Sequence, residues 1–355
     1  MKIYIKISLQ ALEKTEKIWY NRQNTIKGVL RVKFLIQNTD AYKRLCAQCD
    51  GGKSSHAYLI VFDDPVYTKT ALREFAKVIL GAVENDYGEF DDPSLERIAK
   101  LIDGDKYPDC LVYPKNEKRL NVEDCESIVE ECVVHAVEGE KKIFLIDRFD
   151  EALPTAQNKL LKVLEEPRDG VIFLLSARTT YPVLQTVLSR TQRLEILPLS
   201  IEEVGACIER NEKKSYDRNE IRVVSALSCG SVGTAEGLLD SGYYKTLLEE
   251  AFGLALSPLS RLPVAAKKAG ATKSKKELIS LLRLIYRDAA FVKAGQEKFL
   301  LLSPEKERIR AVAEKHSYTA LLSAQERLSL AEKEIQFNAN FAQCIELCIA
   351  RILQQ

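Results

Sequence analysis

The feature that most constrains the fold is the alternation of short apolar runs with amphipathic segments between Ala57 and Leu197. Parallel strands that are buried on both faces are near-continuous apolar runs, and their connecting helices carry apolar residues at three- and four-residue spacing. Five runs are predicted as strands: AYLIVF (57–62), CLVY (110–113), IFLID (143–147), VIFLLS (171–176) and RLEIL (193–197). The pattern predicts an α/β domain with a doubly wound, five-stranded parallel sheet.

The segments between the predicted strands carry helix signals. The helix after the first strand has one apolar face, formed by Ala71, Leu72, Phe75, Val78 and Ile79. A second helix is predicted from Val122 to His135. In a third, Pro154 suits the first turn and Pro167 ends the helix.

The sheet pattern stops after Pro198, and helical patterns follow it to the end of the chain. We predict an α/β domain over residues 37–198, a small helical lid domain over 199–243 and an all-helical domain over 244–355. The Lys-rich stretch around Lys267 to Lys276 is interpreted as a solvated linker. Residues 1–36 fit none of these patterns, and two interpretations stay open: a genuine N-terminal arm, or translation from a non-AUG codon near Leu30 or Val32.

Composition narrows the function classes. The 52 Lys and Arg residues nearly balance the 51 Asp and Glu residues, so no global field attracts nucleic acid or an anionic membrane. The nine cysteines lack the dense, even spacing of a secreted scaffold, and a reduced cytoplasmic location is expected. Cys46 and Cys49 have CxxC spacing, but no second pair completes a zinc site, which favours ordinary thiols.

The loop after the first strand lacks the residues of a phosphate-binding loop. A nucleoside triphosphatase of this topology needs a glycine-rich turn there, so that backbone N–H groups can surround phosphate at a helix N-terminus. This loop instead contains Asp63, Asp64, Pro65, Val66 and Tyr67. The two carboxylates repel phosphate, and nothing in the sequence offsets their charge.

Two further positions argue against nucleotide hydrolysis. Lys69 and Thr70 resemble the tail of a phosphate-binding motif, but alignment through the following helix places Thr68 where the phosphate lysine belongs. At the end of the third strand Asp147 is present, whereas Arg148 stands where an ATPase has the Glu that activates water.

Three segments together resemble the AAA+ clamp-loader family of bacterial DNA polymerase III. HAYL opens the first strand, an Ile-Asp pair ends the third, and AQNKLLKVLEEP forms the helix after it; the resemblance runs from His56 to Arg193. It implies a P-loop-type AAA+ domain, a lid domain and a C-terminal collar in which subunits pack into a ring. The family's sensor-1 residue falls near Ala177, and its sensor-2 arginine falls on Thr234.

The altered nucleotide positions depart from the family's gamma and tau ATPase subunits and match its delta-prime type. The resemblance therefore implies no ATP of its own and no independent enzyme activity, in a component of the polymerase III holoenzyme. It also implies no zinc, because the segment 81–109, where the ATPase subunits carry a zinc module, has no cysteine. In the helical domain, Leu281, Leu284, Ile285 and Ala289 fit either the collar or an ordinary core stripe.

One catalytic element of the family is retained. Ser189, Arg190 and Thr191 resemble its Ser-Arg-Cys motif, whose arginine reaches the ATP of the neighbouring subunit. A guanidinium is always charged and can neutralise charge that develops on a transferred phosphate. The alternative is that Arg190 caps the preceding helix or pairs with a surface carboxylate.

The resemblance implies a set of partners: the gamma or tau ATPase subunits, the delta subunit, and the sliding clamp and primer-template DNA through the complex. No membrane is expected among them. Two other functions stay open. The chain could be a divergent gamma- or tau-type ATPase that uses Lys69, Thr70 and Asp147, or an AAA+ scaffold in another DNA transaction.

Overall fold

A computed structural model describes residues 32–85, 88–116, 118–209, 216–337 and 339–354. The chain forms two compact units, the first ending at Pro198 and the second beginning at Leu199. Residues 1–31 of the predicted N-terminal extension lie outside the described residues. The last residues of that extension, from Val32, belong to a helix that continues to Asn38.

The first unit is a five-stranded, fully parallel sheet with connecting helices, as predicted. Its strand order is β2-β3-β4-β1-β5. The elements in chain order are α1 (Val32–Asn38), α2 (Asp40–Asp50), β1 (Ala57–Val61), α3 (Thr68–Ile79), α4 (Pro93–Asp103), β2 (Cys110–Tyr113), α5 (Val122–Glu131), β3 (Lys142–Ile146), α6 (Pro154–Glu165), β4 (Val171–Ala177), α7 (Gln185–Leu188) and β5 (Gln192–Glu195).

The three central strands are buried along their whole length, which explains their continuous apolar sequences. Phe144 of β3 stacks on Phe173 of β4 with ring centroids 5.2 Å apart. On one side of the sheet, Leu59 belongs to an apolar cluster with Ile128 of α5 and Leu160 of α6. This packing fixes the carboxyl ends of β1, β3 and β4, where the candidate site lies.

Helix α5 is shorter than predicted. It ends at Glu131, and the prediction that it reaches His135 is wrong. The ammonium group of Lys142 donates to the Glu131 carbonyl oxygen at 2.9 Å, and the Asp109 carboxylate accepts from the backbone N–H of Glu138 at 2.7 Å. These polar contacts draw the chain into a turn, while Val133 is exposed and gains nothing from a continued helix.

The second unit is helical wherever the structure describes it. Its elements are α8 (Ile201–Glu209), α9 (Arg218–Leu227), α10 (Val232–Ser241), α11 (Tyr243–Ala255), α12 (Leu262–Ala269), α13 (Lys275–Lys293), α14 (Lys306–Lys315), α15 (Tyr318–Gln336) and α16 (Phe341–Leu353). The predicted lid and collar both fall in this unit. Their separation at residue 243 therefore stays a prediction.

The structure decides two sequence-based interpretations of the helical region: the Lys-rich linker and the apolar stripe. The Lys-rich stretch is not a linker, because α12 extends to Ala269 and buries Leu262, Ala266 and Ala269 on one side. In α13 the predicted apolar stripe is buried in the unit's own core, which is the ordinary core interpretation. The stripe consists of Leu281, Leu284, Ile285 and Ala289.

Candidate functional site

A buried carboxylate occupies the loop before α3, where a nucleotide phosphate would lie in a P-loop domain. Asp64 is fully buried, and its Oδ1 accepts from the backbone N–H groups of Val66 and Tyr67, both at 2.9 Å. Helix α3 begins one residue later, at Thr68. In a P-loop, backbone N–H groups of this loop surround the anionic phosphate. Here the chain supplies that anion itself.

The neighbouring carboxylate is exposed and paired. Asp63 Oδ1 accepts from Arg178 Nη2 at 2.9 Å and from its Nε at 3.1 Å. The expectation that nothing offsets the two loop carboxylates is therefore wrong for Asp63. Pro65, which follows Asp64 in the loop, is exposed and has no N–H to give to a ligand.

The lysine of the motif tail is directed to another partner. Lys69 Nζ lies 2.8 Å from Asp105 Oδ2, which also accepts from Arg73 at 2.7 Å. Partial burial would raise the pKa of Asp105, but the hydrogen bonds and charges of Arg73 and Lys69 outweigh it and lower that pKa. Thr68 is buried and Thr70 half-buried in the first turn of α3. Lys69 is therefore engaged in an ion pair beside the loop.

The end of β3 keeps a carboxylate, which a neighbouring strand holds in place. Asp147 Oδ1 accepts from the Ser176 hydroxyl at 2.6 Å, and the same hydroxyl oxygen accepts from the Arg148 backbone N–H at 2.9 Å. Arg148 adopts a left-handed conformation with φ of 51°, and its Nε lies 3.6 Å from Asp147 Oδ2. A guanidinium thus stands beside the carboxylate at the position of the missing Glu.

The two sensor positions contribute no charge. Ala177 is buried at the end of β4, and its carbonyl oxygen accepts from the Phe62 backbone N–H. Thr234 lies in the first turn of α10, where its N–H donates to the Ser231 hydroxyl at 3.0 Å. The polar residue that reaches Asp147 is Ser176, one position before the predicted sensor. Sequence reasoning missed it because the residue sits inside an apolar strand.

Arg190 is engaged within its own chain, as the alternative interpretation expected. Its Nη1 donates to the Thr186 carbonyl oxygen at 2.9 Å, which caps α7, and its Nη2 lies 3.0 Å from Glu165 Oε2 at the end of α6. The Ser189 hydroxyl donates to the same Thr186 oxygen at 3.1 Å, and Thr191 donates to Val187. The guanidinium therefore lies at the edge of the first unit, between two helix ends.

Cysteines and metal ligands add no second site to the described parts of the chain. Cys46 and Cys49 are free, half-buried thiols of α2, and burial raises the pKa of each. Across the described ranges, no group of three His, Cys, Asp or Glu side chains is placed to hold a metal ion. None of the helices described there is long and apolar enough to cross a bilayer.

Sequence comparisons show which known proteins the first unit is similar to. The family model described as "DNA polymerase III, delta subunit" matches residues 37–200. The chain is 28% identical to DNA polymerase III subunit delta' of Haemophilus influenzae over 235 residues, which are 64% of this chain and 69% of that protein. The first unit is therefore similar in sequence to DNA polymerase III clamp-loader subunits of the delta-prime type.

Other similarities to clamp-loader subunits are more limited. Subunit delta' of Bacillus subtilis is 29% identical over 103 residues, which are 29% of this chain and 31% of that protein. The solved structure of the Bacillus subtilis DNA clamp loader delta protein covers 88% of this chain and 99% of its own at 12% identity, with a TM-score of 0.32.

Proposed function

We propose that this chain is a non-ATPase clamp-loader subunit, which supports loading of the sliding clamp onto primed DNA in the cytoplasm. The observation that carries the proposal is the Asp64 carboxylate in the loop before α3, since it already accepts from two of the loop N–H groups that a phosphate would need. Lys69 is paired with Asp105, and Arg148 stands at the water-activating position. Together these contacts support the absence of a bound nucleotide and of independent activity.

The subunit's contribution to catalysis would be Arg190, acting on ATP held by a neighbouring gamma- or tau-type subunit. Its present partner Glu165 is largely exposed, with 57% of its side chain accessible. An exposed ion pair contributes only about 0 to 1 kcal/mol. Exchanging Glu165 for a phosphate with more charge and matching geometry therefore costs little. The delta subunit would contact another face of the same chain.

The experiment is the ATPase rate of a reconstituted loader, stimulated by clamp and DNA, with this chain intact or changed. Arg190→Ala should lower the rate by about 10³-fold, because a trans arginine stabilises transition-state charge. Arg190→Lys should recover little, since an ammonium lacks the planar fork. Glu165→Gln removes the ion pair and leaves Arg190 in the chain. This variant should hydrolyse ATP at about the rate of the loader with the intact chain.

Assembly must be measured in the same samples. Size-exclusion chromatography should show every variant in the loader. A rate unaffected by Arg190→Ala in an intact complex would return Arg190 to its helix-capping role. Titration of the isolated chain with labelled ATP tests the other half of the proposal: micromolar binding with turnover would favour the divergent ATPase.

A further inference from the structure

The second unit contains a segment of unusual charge. Between Glu250 and Glu277 the sequence has six basic residues and no acidic one, although the whole chain has a net charge of only +1. The six residues, called the basic patch below, are Arg261, Lys267, Lys268, Lys273, Lys275 and Lys276. All six are exposed. The positive charge is thus concentrated on one short stretch of the surface.

The fold places this charge on one side of a packed element. Helix α12 buries Leu262, Ala266 and Ala269, so the helical period directs Lys267 and Lys268 to the opposite, solvent-facing side. The turn that follows is fixed by its own packing, because a Cβ on Gly270 would meet the Ala342 methyl group at 3.1 Å. The basic patch therefore lies on ordered backbone and not on a linker.

Four of the six charges of the basic patch have no carboxylate partner among the described residues. Elsewhere in the unit Lys245, Lys306 and Arg308 are each within 4 Å of a carboxylate oxygen. Within the described ranges, Arg261, Lys267, Lys268 and Lys273 have no such ion pair. Lys275 lies over the Phe341 ring, 5.6 Å from its centroid. Like charges left this close together repel one another, which a polyanionic ligand would relieve.

The composition of the basic patch favours one class of polyanion. Single strands are bound by exposed aromatic rings on which bases stack, but the aromatic rings beside the patch are engaged: Phe341 is buried and the Tyr243 hydroxyl is bonded to Thr272. Membrane-surface helices present a broad apolar face, and here that face packs inside the unit. A duplex needs only spaced cations that meet its backbone phosphates.

We propose that the basic patch binds the phosphate backbone of duplex DNA, without sequence preference, through the second unit. Arg261, Lys267 and Lys268 would contact phosphates along the exposed side of α12, and Lys273 would contact them from the turn. This binding surface is separate from the candidate nucleotide site and does not depend on the role proposed for Arg190.

The test is the fluorescence anisotropy of a labelled, random-sequence duplex titrated with the full chain between about 50 and 200 mM salt. The triple variant Lys267→Ala, Lys268→Ala, Lys273→Ala should weaken binding about tenfold or more. It should also lower the slope of log affinity against log salt by roughly 0.9 for each backbone phosphate that the variant no longer neutralises. The control removes the same charge from lysines that pair with carboxylates: Lys100→Ala, Lys159→Ala, Lys245→Ala.

The control variant should bind the duplex like the unchanged chain. Equal decreases in affinity for both triple variants would mean that only total charge matters, and they would overturn the proposal. So would the absence of duplex binding at the lowest salt, or tighter binding of the single strand. Stronger binding to polyglutamate or to phosphatidylserine vesicles, abolished in the first variant alone, would assign the basic patch to an acidic protein or a membrane instead.

Discussion

At the scale of single residues, two adjacent aspartates of one loop have different roles. Asp64 is buried and accepts from two backbone N–H groups, whereas Asp63 is exposed and pairs with Arg178. The sequence predicted only that both carboxylates would repel phosphate. An Asp side chain often accepts from backbone N–H groups two and three residues ahead in an Asx turn, and this turn distinguishes Asp64. The ion pair of Asp63 depends on a residue 115 positions away and has no local signature.

The different environments of Asp63 and Asp64 predict that replacing each with alanine has an unequal effect on stability. Asp64→Ala should reduce the free energy of unfolding of the first unit by about 2 kcal/mol, because two N–H groups are left without a partner in a buried position. Asp63→Ala removes an exposed ion pair and should cost less than about 1 kcal/mol. Denaturant unfolding of both variants, followed by circular dichroism, measures the difference. Equal destabilisation would mean that the two hydrogen bonds of Asp64 do not stabilise the loop before α3.

Arg190 shows where residue-level prediction from sequence ends. Its motif and its place before the last strand could be recognised, but its contacts could not. Glu165 and Thr186 come from two helices that only the folded chain brings together. Glu165 belongs to AQNKLLKVLEEP, the helix that resembles the clamp-loader family. Its ion pair with Arg190 is therefore compatible with a trans-acting arginine as well as with a helix-capping one. Only a measurement in the assembled loader separates them.

At the scale of elements, the buried strands were predictable, whereas the end of α5 and the whole of α12 were not. The strands of the sheet were found within two residues because every residue of β1, β3 and β4 is buried. Helix α12 was missed because its core side is mostly alanine, which gives a weak apolar signal beside two lysines. The end of α5 depends on Lys142 and Asp109, which are distant in sequence.

One element boundary gives a direct test of the fold. Gly170 precedes β4 with φ of 81°, and a Cβ there would lie 2.4 Å from the Glu140 carbonyl oxygen. Gly170→Ala should therefore destabilise the first unit by more than about 2 kcal/mol, through both the left-handed backbone and the clash.

The matched control is Gly237→Ala in α10. No atom lies within 4 Å of the Cβ that alanine would add, and the backbone is helical. This variant should stabilise the second unit by roughly 0.5 to 1 kcal/mol. Thermal unfolding of both variants is the measurement. A harmless Gly170→Ala would contradict the described approach of Glu140 to the start of β4.

At the scale of the whole molecule, one helix of the second unit carries several exposed apolar side chains. The predicted collar stripe in α13 is buried and cannot contact another subunit. In contrast, Tyr318, Leu322 and Leu330 of α15 and the following Phe337 are exposed. Helical spacing places these four on one side of α15. Exposed apolar stripes of this kind mark contacts with other proteins, so α15 is the better candidate for the collar contact.

The last prediction follows from that stripe. Leu322→Glu with Phe337→Glu should abolish or weaken entry of this chain into a reconstituted loader, because two charges would be buried without partners. The thermal stability of the isolated chain should change little, since both side chains are already exposed. Val264→Glu is the control: Val264 is 75% exposed and Phe337 76% exposed, and Val264 lies on α12. Size-exclusion chromatography of each variant mixed with the other loader subunits measures its assembly. Normal assembly of the double variant would move the subunit contact to another face, whereas failed assembly of both variants would indicate a general effect of added charge.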